Sequence, residues 1–455
     1  MVPSGSQHFD TIVIGAGPAG EPCAGDLATA GQKVAIVESE RAGGECAFWA
    51  CIPTKVLLRS AEPHCEAKGV PGSKETLDKP LSFARAAQWR TEMVSDYSDA
   101  DHLPWLEERK IKLVRGRAVL RGNGRVFVDP DEMSADNIVI ATGSNPSFPD
   151  IPGLRDRPVW TNREASAART VPGRLGVLGG GPVGVEFAQI FARYGSSVTI
   201  IERSDRILSK ESPAVSNLIG DALKDASIAV RCGAHVNQVR WNGDVAIIEI
   251  DGGSPVEVDR ILVASGRDAR VEDLGLDATD VRLENGHIKI DEHCKAGNGI
   301  WAVGDVTGVA MFTHVAKYQG HVAASNILGR VWRTNYEAVP RTVYCDPQAA
   351  SVGLSETQAK EKGLEIETRR ADLSSVPRSR IHHEDGTPGA LGLLVERSTQ
   401  RLVGAWAVGP MASEWIHVPG IAIAARLPVS VLRESIFAFP TFSEVLYNAA
   451  MAKPQ

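Results

Sequence analysis

Residues 10–20 read Asp10-Thr-Ile-Val-Ile-Gly15-Ala-Gly17-Pro-Ala-Gly20, and Val34-Ala-Ile-Val-Glu38 follows. The pattern returns as Arg174-Leu-Gly-Val-Leu-Gly179-Gly-Gly181-Pro-Val-Gly184, followed by Val198-Thr-Ile-Ile-Glu202. Each copy predicts a strand, a glycine-rich turn, a helix and a second strand, with an acidic residue 23 positions after the first glycine. The copies are offset by 164 residues, a domain-sized interval. The glycines have separable roles. Gly15 and Gly179 allow the tight turn, Gly17 and Gly181 let a pyrophosphate approach the backbone, and Gly20 and Gly184 let helix and strand pack closely. The helix N-terminus stabilises phosphate charge, and Glu38 and Glu202 are suited to accept from ribose hydroxyls.

The rest of the chain fits a large globular protein. Its 455 residues exceed what one core holds and suggest about three domains. Breaker-rich crossings at Pro146–Gly153 and Gly329–Pro340 punctuate it, and strand-like runs at 341–344, 390–395 and 401–408 precede the final helices. The net charge of −7 leaves no basic excess for a nucleic-acid backbone. No apolar run reaches the ~18 residues of a membrane span. The opening residues are polar, with no signal-peptide core, so a cytoplasmic protein is predicted.

Seven cysteines form no secreted disulfide framework. Cys46 and Cys51 stand out because only four residues separate them. A helix predicted over 52–65 has Pro53 in its first turn and puts Cys51 at its N-terminus. Lys55 lies one turn along. Both features favour a reactive thiolate. No metal site is expected, since no second Cys or His pair has ligand spacing. Cys65, Cys232, Cys294 and Cys345 read as core filler. His382-His383, in a polar stretch, reads as surface loop. Glu186 lies in a largely apolar helix and needs a partner there. The alternative is a solvated helix charge, since Gln189 shows that this helix need not be buried all round.

The stretch Gly43-Gly-Glu-Cys46-Ala-Phe-Trp-Ala-Cys51-Ile-Pro-Thr-Lys55 resembles the redox motif of the pyridine nucleotide–disulfide oxidoreductases. That family includes dihydrolipoamide dehydrogenase, glutathione reductase and mercuric reductase. Ala141-Thr142-Gly143, Gly299-Ile-Trp-Ala-Val-Gly304-Asp305, Asp346-Pro347 and Val352-Gly353 extend the likeness along the whole chain. The resemblance implies an α/β fold with two Rossmann-like dinucleotide-binding domains and a C-terminal α+β dimerisation domain. It divides the chain into 1–150 (FAD-binding, first part), 151–270 (NAD(P)-binding), 271–337 (central, FAD-binding second part) and 338–455 (interface), in a homodimer. Gly15, Gly17, Gly20, Glu38, Thr142, Gly143, Gly304 and Asp305 would hold FAD. Gly179, Gly181, Gly184, Glu202 and Arg203 would hold the nicotinamide nucleotide. Glu202 favours NADH, while Arg203 and Arg206 leave NADPH open. Cys51 becomes the thiol beside the flavin, Cys46 the exchanging thiol, and Lys55 and Glu186 a pair near the flavin's reactive edge.

The chain departs from that pattern near its end. Thiol-handling members carry His-Pro-Thr-x-Ser-Glu, whereas this chain reads Phe439-Pro440-Thr441-Phe442-Ser443-Glu444. Glu444 keeps its catalytic position, but the histidine that shuttles the proton is Phe439. Mercuric reductases also lack that histidine, yet they carry a C-terminal cysteine pair, and the last cysteine here is Cys345. Phe48 and Trp49 are bulkier than usual between the redox cysteines. The expectation is therefore an NAD(P)H-dependent FAD oxidoreductase that passes electrons through a Cys46–Cys51 disulfide to a quinone or other small acceptor. A dihydrolipoamide dehydrogenase-like disulfide reductase and a flavin redox sensor without turnover are the alternatives.

Overall fold

The computed structural model describes residues 7–454, so residues 1–6 of the polar opening segment lie outside the described residues. The chain forms two compact units, each assembled from three stretches.

Met1–Pro53, Arg90–Ser147 and Arg267–Asn335 form the first unit. Its main sheet has the order Lys295–Gly297, Ile300–Ala302, Asp131–Ile140, Gln7–Ile14, Val34–Glu38, Lys112–Arg115. All neighbours are parallel except the first pair. Gln7–Ile14 lies in the middle and the chain crosses to either side of it, which opens a crevice beyond its carboxyl end. Alternation along the strands serves two cores. Val13, Ile36 and Val139 face helices Gly20–Thr29 and Thr313–Ile327, while Ile12, Ile14, Val37, Ile138 and Ile140 face the opposite side. The two helices pack at Gly320, where a Cβ would stand 2.5 Å from the Ala19 carbonyl oxygen.

Thr54–Trp89, Phe148–Gly266 and Tyr336–Gln455 form the second unit. Here the later glycine motif joins strand Arg174–Leu178 to helix Pro182–Arg193 and strand Ser197–Ile201, within a four-stranded parallel sheet. An antiparallel sheet of three strands spans Val236–Val258. A five-stranded antiparallel sheet spans Pro340–Gly409, and the helices that follow it pack on one face. Two of its strands, Gln348–Gly353 and Ile366–Asp372, carry weak sequence signals because one is rich in small residues and the other in charge.

Four local expectations change. The redox helix runs Cys51–Ala67, so Cys51 is its first residue. Gln189 is buried, its amide exchanging hydrogen bonds with the backbone of Asp346, so the middle of Pro182–Arg193 is enclosed. Cys232 is exposed and Cys65 half-buried, leaving Cys294 and Cys345 as the core filler of that group. His382 ends helix Arg378–His382 with its ring against Phe442, and His383 rests on Gly69, so neither is in a free surface loop.

The third glycine of the second motif gives a direct test. A Cβ on Gly184 would stand 2.0 Å from the Gly179 carbonyl oxygen, whereas one on Gly181 would meet nothing within 4 Å. Gly184→Ala is expected to lose about 1–3 kcal/mol in urea unfolding, and Gly181→Ala to stay within about 0.5 kcal/mol of wild type. Equal losses would contradict the division of roles.

Candidate functional site

The first glycine loop is built by close backbone packing around one uncrowded glycine. Gly15 adopts φ +108°, where a side chain is strained, and a Cβ there would stand 2.3 Å from the Ala141 carbonyl oxygen. A Cβ on Gly20 would come within 1.9 Å of the Gly15 carbonyl oxygen. Gly17 differs, because the nearest atom to its Cβ position is Gly44 Cα at 3.9 Å. The middle glycine thus faces space at the N-terminus of Gly20–Thr29, and the outer two are packed against backbone. Gly179, Gly181 and Gly184 repeat the arrangement in the second unit.

Each acidic residue is tied to its own loop. Glu38 accepts from the Ala16 N–H at 2.8 Å and the Glu40 N–H at 2.7 Å. Glu202 accepts from the Gly180 and Ser204 N–H groups, both at 2.6 Å. The two carboxylates differ in charge environment. Burial raises Glu38 above the usual carboxylate range against the pull of its two amides. Burial also opposes ionisation of Glu202, but the Ser204 and Gly180 amides, the Ser204 hydroxyl and Arg203 together hold it below that range. Neither carboxylate's lone pairs are exhausted by two amides, so ribose hydroxyls remain acceptable donors.

In the first unit, Thr142 and Gly143 are tied to Arg270. The Thr142 hydroxyl donates to the Arg270 carbonyl at 2.7 Å, and the Arg270 N–H donates to the Gly143 carbonyl at 3.0 Å. Gly304 approaches the first loop closely, since a Cβ on it would stand 3.1 Å from Ala19 Cβ. Its N–H donates to the buried Gln319 amide oxygen at 2.7 Å. Asp305 accepts from the Ser144 hydroxyl at 2.6 Å, and Arg267 in turn donates to that hydroxyl at 2.7 Å. The uncrowded Gly17, the N-terminus of Gly20–Thr29 and this carboxylate fit a bound FAD. Ser144, Arg267 and Gln319 are supporting residues that no motif announced.

The cysteine segment docks on the same loop. A Cβ on Gly44 would stand 2.7 Å from Gly17 Cα, so only glycine allows the approach. Cys46 lies in helix Gly44–Phe48 and Cys51 opens the next helix. The two sulfurs converge on one hydroxyl: Thr313 Oγ1 is 3.2 Å from Cys46 Sγ and 3.3 Å from Cys51 Sγ. Thr313 is also the first residue of the 15-residue helix Thr313–Ile327. Hydroxyl and helix N-terminus both stabilise negative charge on sulfur. Thr313 was invisible in the sequence because its partners are over 260 positions away.

In the second unit, Glu186 is 4% exposed and fully engaged. Its Oε2 receives Lys55 Nζ at 2.7 Å, and its Oε1 the Tyr344 N–H at 2.9 Å. Lys55 also lies 4.8 Å from the centre of the Tyr344 ring. Glu444 accepts from the Thr441 N–H at 3.0 Å and so fastens the turn that carries Phe439. Phe439 itself is 72% exposed. Arg203 is exposed, while Arg206 donates to the Ser209 and Glu211 carbonyls at 2.7 and 3.2 Å.

The lowered Glu202 carboxyl predicts a pH signature. Its stabilising effect is fully present above its ordinary value of 4.5 and is lost as pH falls through the lowered one. Because Glu202 is only partly enclosed, Glu202→Gln is expected to cost about 0.5–1 kcal/mol at pH 7 after solvent screening. In urea unfolding the gap between the variants should narrow as pH falls below 4.5 and close below the lowered folded-state value. A gap that does not change with pH would show that the carboxylate's charge is not what holds the loop.

The sequence pattern of "Pyridine nucleotide-disulphide oxidoreductase" matches residues 9–320, and that of its dimerisation domain matches residues 339–450. A dihydrolipoyl dehydrogenase of Chlorobaculum parvum is 35% identical over 466 aligned positions, covering 99% of this chain and 98% of that protein. A mercuric reductase of Bacillus cereus is 33% identical over 454 positions, covering 98% of this chain and 72% of that protein. The structure of the HOCl-induced flavoprotein disulfide reductase RclA from Escherichia coli, a Cu(II) complex, superposes with a TM-score of 0.87 at 30% identity, over 98% of this chain and 99% of that one. No helix among the described residues is long and apolar enough to cross a membrane. With two glycine loops, a cysteine pair docked on the first and matches along nearly its whole length, the chain belongs to the pyridine nucleotide–disulfide oxidoreductases and is an FAD-dependent NAD(P)H oxidoreductase.

Proposed function

We propose that this enzyme oxidises NADH and reduces a small electron acceptor of the quinone class, with the Cys46–Cys51 pair as a second electron store through which quinone reduction need not pass. Gly15, Gly17, Gly20, Glu38, Thr142, Gly143, Gly304 and Asp305 would hold FAD, within the domain divisions read from the sequence. Gly179, Gly181, Gly184 and Glu202 would hold the nicotinamide nucleotide, with Arg203 at its rim. FAD, when bound, supplies the two-electron chemistry linking a hydride donor to a thiol pair. In the overall exchange NADH and a proton reduce the Cys46–Cys51 disulfide to two thiols and leave NAD⁺. Thr313 stabilises charge on the sulfurs as the bond opens. Glu186 keeps Lys55 oriented as a cation.

The observation that carries the acceptor reading is Phe439. A disulfide acceptor needs a proton delivered to its leaving sulfur, and a positioned acid–base group there contributes roughly 10²–10⁴ in rate. The exposed Phe439 side chain has no proton to give, and Glu444 spends an oxygen on the Thr441 amide. A quinone has no leaving sulfur to protonate and needs no such group. Dihydrolipoamide dehydrogenase-like turnover is the second reading, favoured by the retained Glu444 and the 35% identical C. parvum relative. The matched dimerisation domain, with Ile436 99% exposed beside Phe439, supports a homodimer.

NADH is the preferred donor in this reading. Glu202 is held ionised where a ribose hydroxyl would bind and repels a 2′-phosphate. Of the two arginines that could reverse this, Arg206 is committed to backbone carbonyls. A higher kcat/KM for NADH than for NADPH is expected. The reverse order would mean that Arg203 dominates.

Installing the absent imidazole tests the acceptor. Phe439→His is expected to raise lipoamide turnover at neutral pH by up to ~10², with quinone turnover unchanged. The gain should follow a bell-shaped pH profile, as an added acid–base group requires. Anaerobic NADH should make Cys46 and Cys51 alkylatable in wild type and variant alike. Fast wild-type lipoamide turnover that the substitution does not improve would favour the second reading.

A further inference from the structure

The residues between the redox cysteines are not passive filler. Phe48 is buried, with its ring 5.9 Å from that of His102. Trp49, which closes helix Gly44–Phe48, stacks on Tyr97 with ring centres 4.7 Å apart and an interplanar angle of 23°. The Arg41 guanidinium lies 5.3 Å from the Trp49 ring, and its Nε donates to the Tyr97 carbonyl at 2.6 Å. Arg90, only 1% exposed, puts its guanidinium 6.0 Å from the Tyr97 ring. Cation, indole, phenol and cation thus form one column, built entirely within the first unit. Such columns combine large-area stacking with attraction between guanidinium and ring faces.

Tyr97 reaches this column through an unusual backbone. Ser95, Asp96 and Tyr97 have φ of 48°, 52° and 61°, three successive side-chain-bearing residues in the left-handed region. L-residues visit that region singly and at a cost, so a run of three persists only where its surroundings hold it. The holders are visible: Tyr97 N–H donates to the Val94 carbonyl at 2.8 Å, Ser98 N–H to the Ser95 carbonyl at 2.9 Å, and the Ser95 hydroxyl to Asp101. The strained turn delivers one ring, and that ring meets the tryptophan two residues before Cys51.

We propose that this column is a clamp that fixes the spacing of Cys46 and Cys51 and so sets the reduction potential of the pair, with Trp49 and Tyr97 as positioning residues. The inference rests on the reading that the pair cycles between disulfide and dithiol. Closing a disulfide restricts the segment between its cysteines, and a segment already held loses less freedom on closure. The clamp therefore favours the disulfide and lowers its potential, independently of which acceptor follows.

The test is equilibrium of the FAD-loaded, full-length enzyme with glutathione buffers. The protein disulfide and two glutathione thiols exchange for a protein dithiol and one glutathione disulfide. Rapid alkylation and mass measurement then read the thiols. Trp49→Ala and Tyr97→Ala are expected to shift the equilibrium about tenfold toward the dithiol, equivalent to about 30 mV. Trp49→Phe and Tyr97→Phe should stay within about twofold of wild type, because a ring remains to stack. If either alanine variant loses FAD or fails to fold, Arg41→Met decides instead, with a shift of roughly threefold in the same direction expected from losing the cation and its hydrogen bond. Folded variants with the wild-type equilibrium would overturn the clamp while leaving the redox role of the pair intact. A wild type that resembles Cys46→Ser, with no glutathione-dependent change, would remove the redox reading and the clamp together.

Discussion

The structure depends on leaving room for a diphosphate at the end of a helix. An α-helix offers unpaired N–H groups and a positive dipole end to an anion, but only if no side chain stands between them. Gly17 and Gly181 provide that opening, and it exists only because their flanking glycines let strand and helix approach within contact of backbone oxygen. The cysteine segment uses the same opening. Gly44 can lie against Gly17 only because Gly44 lacks a Cβ, so the dinucleotide loop and the redox segment pack as one piece. Thr313 then brings a second helix N-terminus to the two sulfurs.

Much of this was legible in the sequence because it is local. The two glycine motifs, their strands and their terminal glutamates lie within short windows, where turn geometry and periodicity dictate the residue types. The tight turn at Gly15 and the close packing at Gly20 emerge in the geometry as read from spacing. The Glu186 partner was also foreseeable, because an apolar helix cannot carry an unpaired carboxylate, and Lys55 and the Tyr344 amide meet that need.

What was not legible is non-local. Thr313, Ser144 and Arg267 act through partners far along the chain and belong to no short motif. Gln189 misled because a lone amide in a helix looks solvated, whereas here a distant backbone segment satisfies it. The His382-His383 pair misled for the same reason, since polar composition says nothing about the Phe442 and Gly69 surfaces that receive the rings. The bulk of Phe48 and Trp49 was plain in the sequence, but its purpose needed Tyr97 and Arg41 in view.

The quinone class of acceptor is a proposal that rests on chemistry the chain lacks as much as on what it has. Two thiols that share one hydroxyl suit electron storage, and the proposal takes the exposed Phe439 as the loss of the proton carrier for thiol exchange. The most direct test is NADH oxidation by wild type and Cys46→Ser, with a quinone and with lipoamide as acceptors. The account predicts substantial quinone turnover that Cys46→Ser largely retains, beside weak lipoamide turnover that it abolishes. Fast wild-type lipoamide turnover, or quinone turnover lost with Cys46, would contradict it.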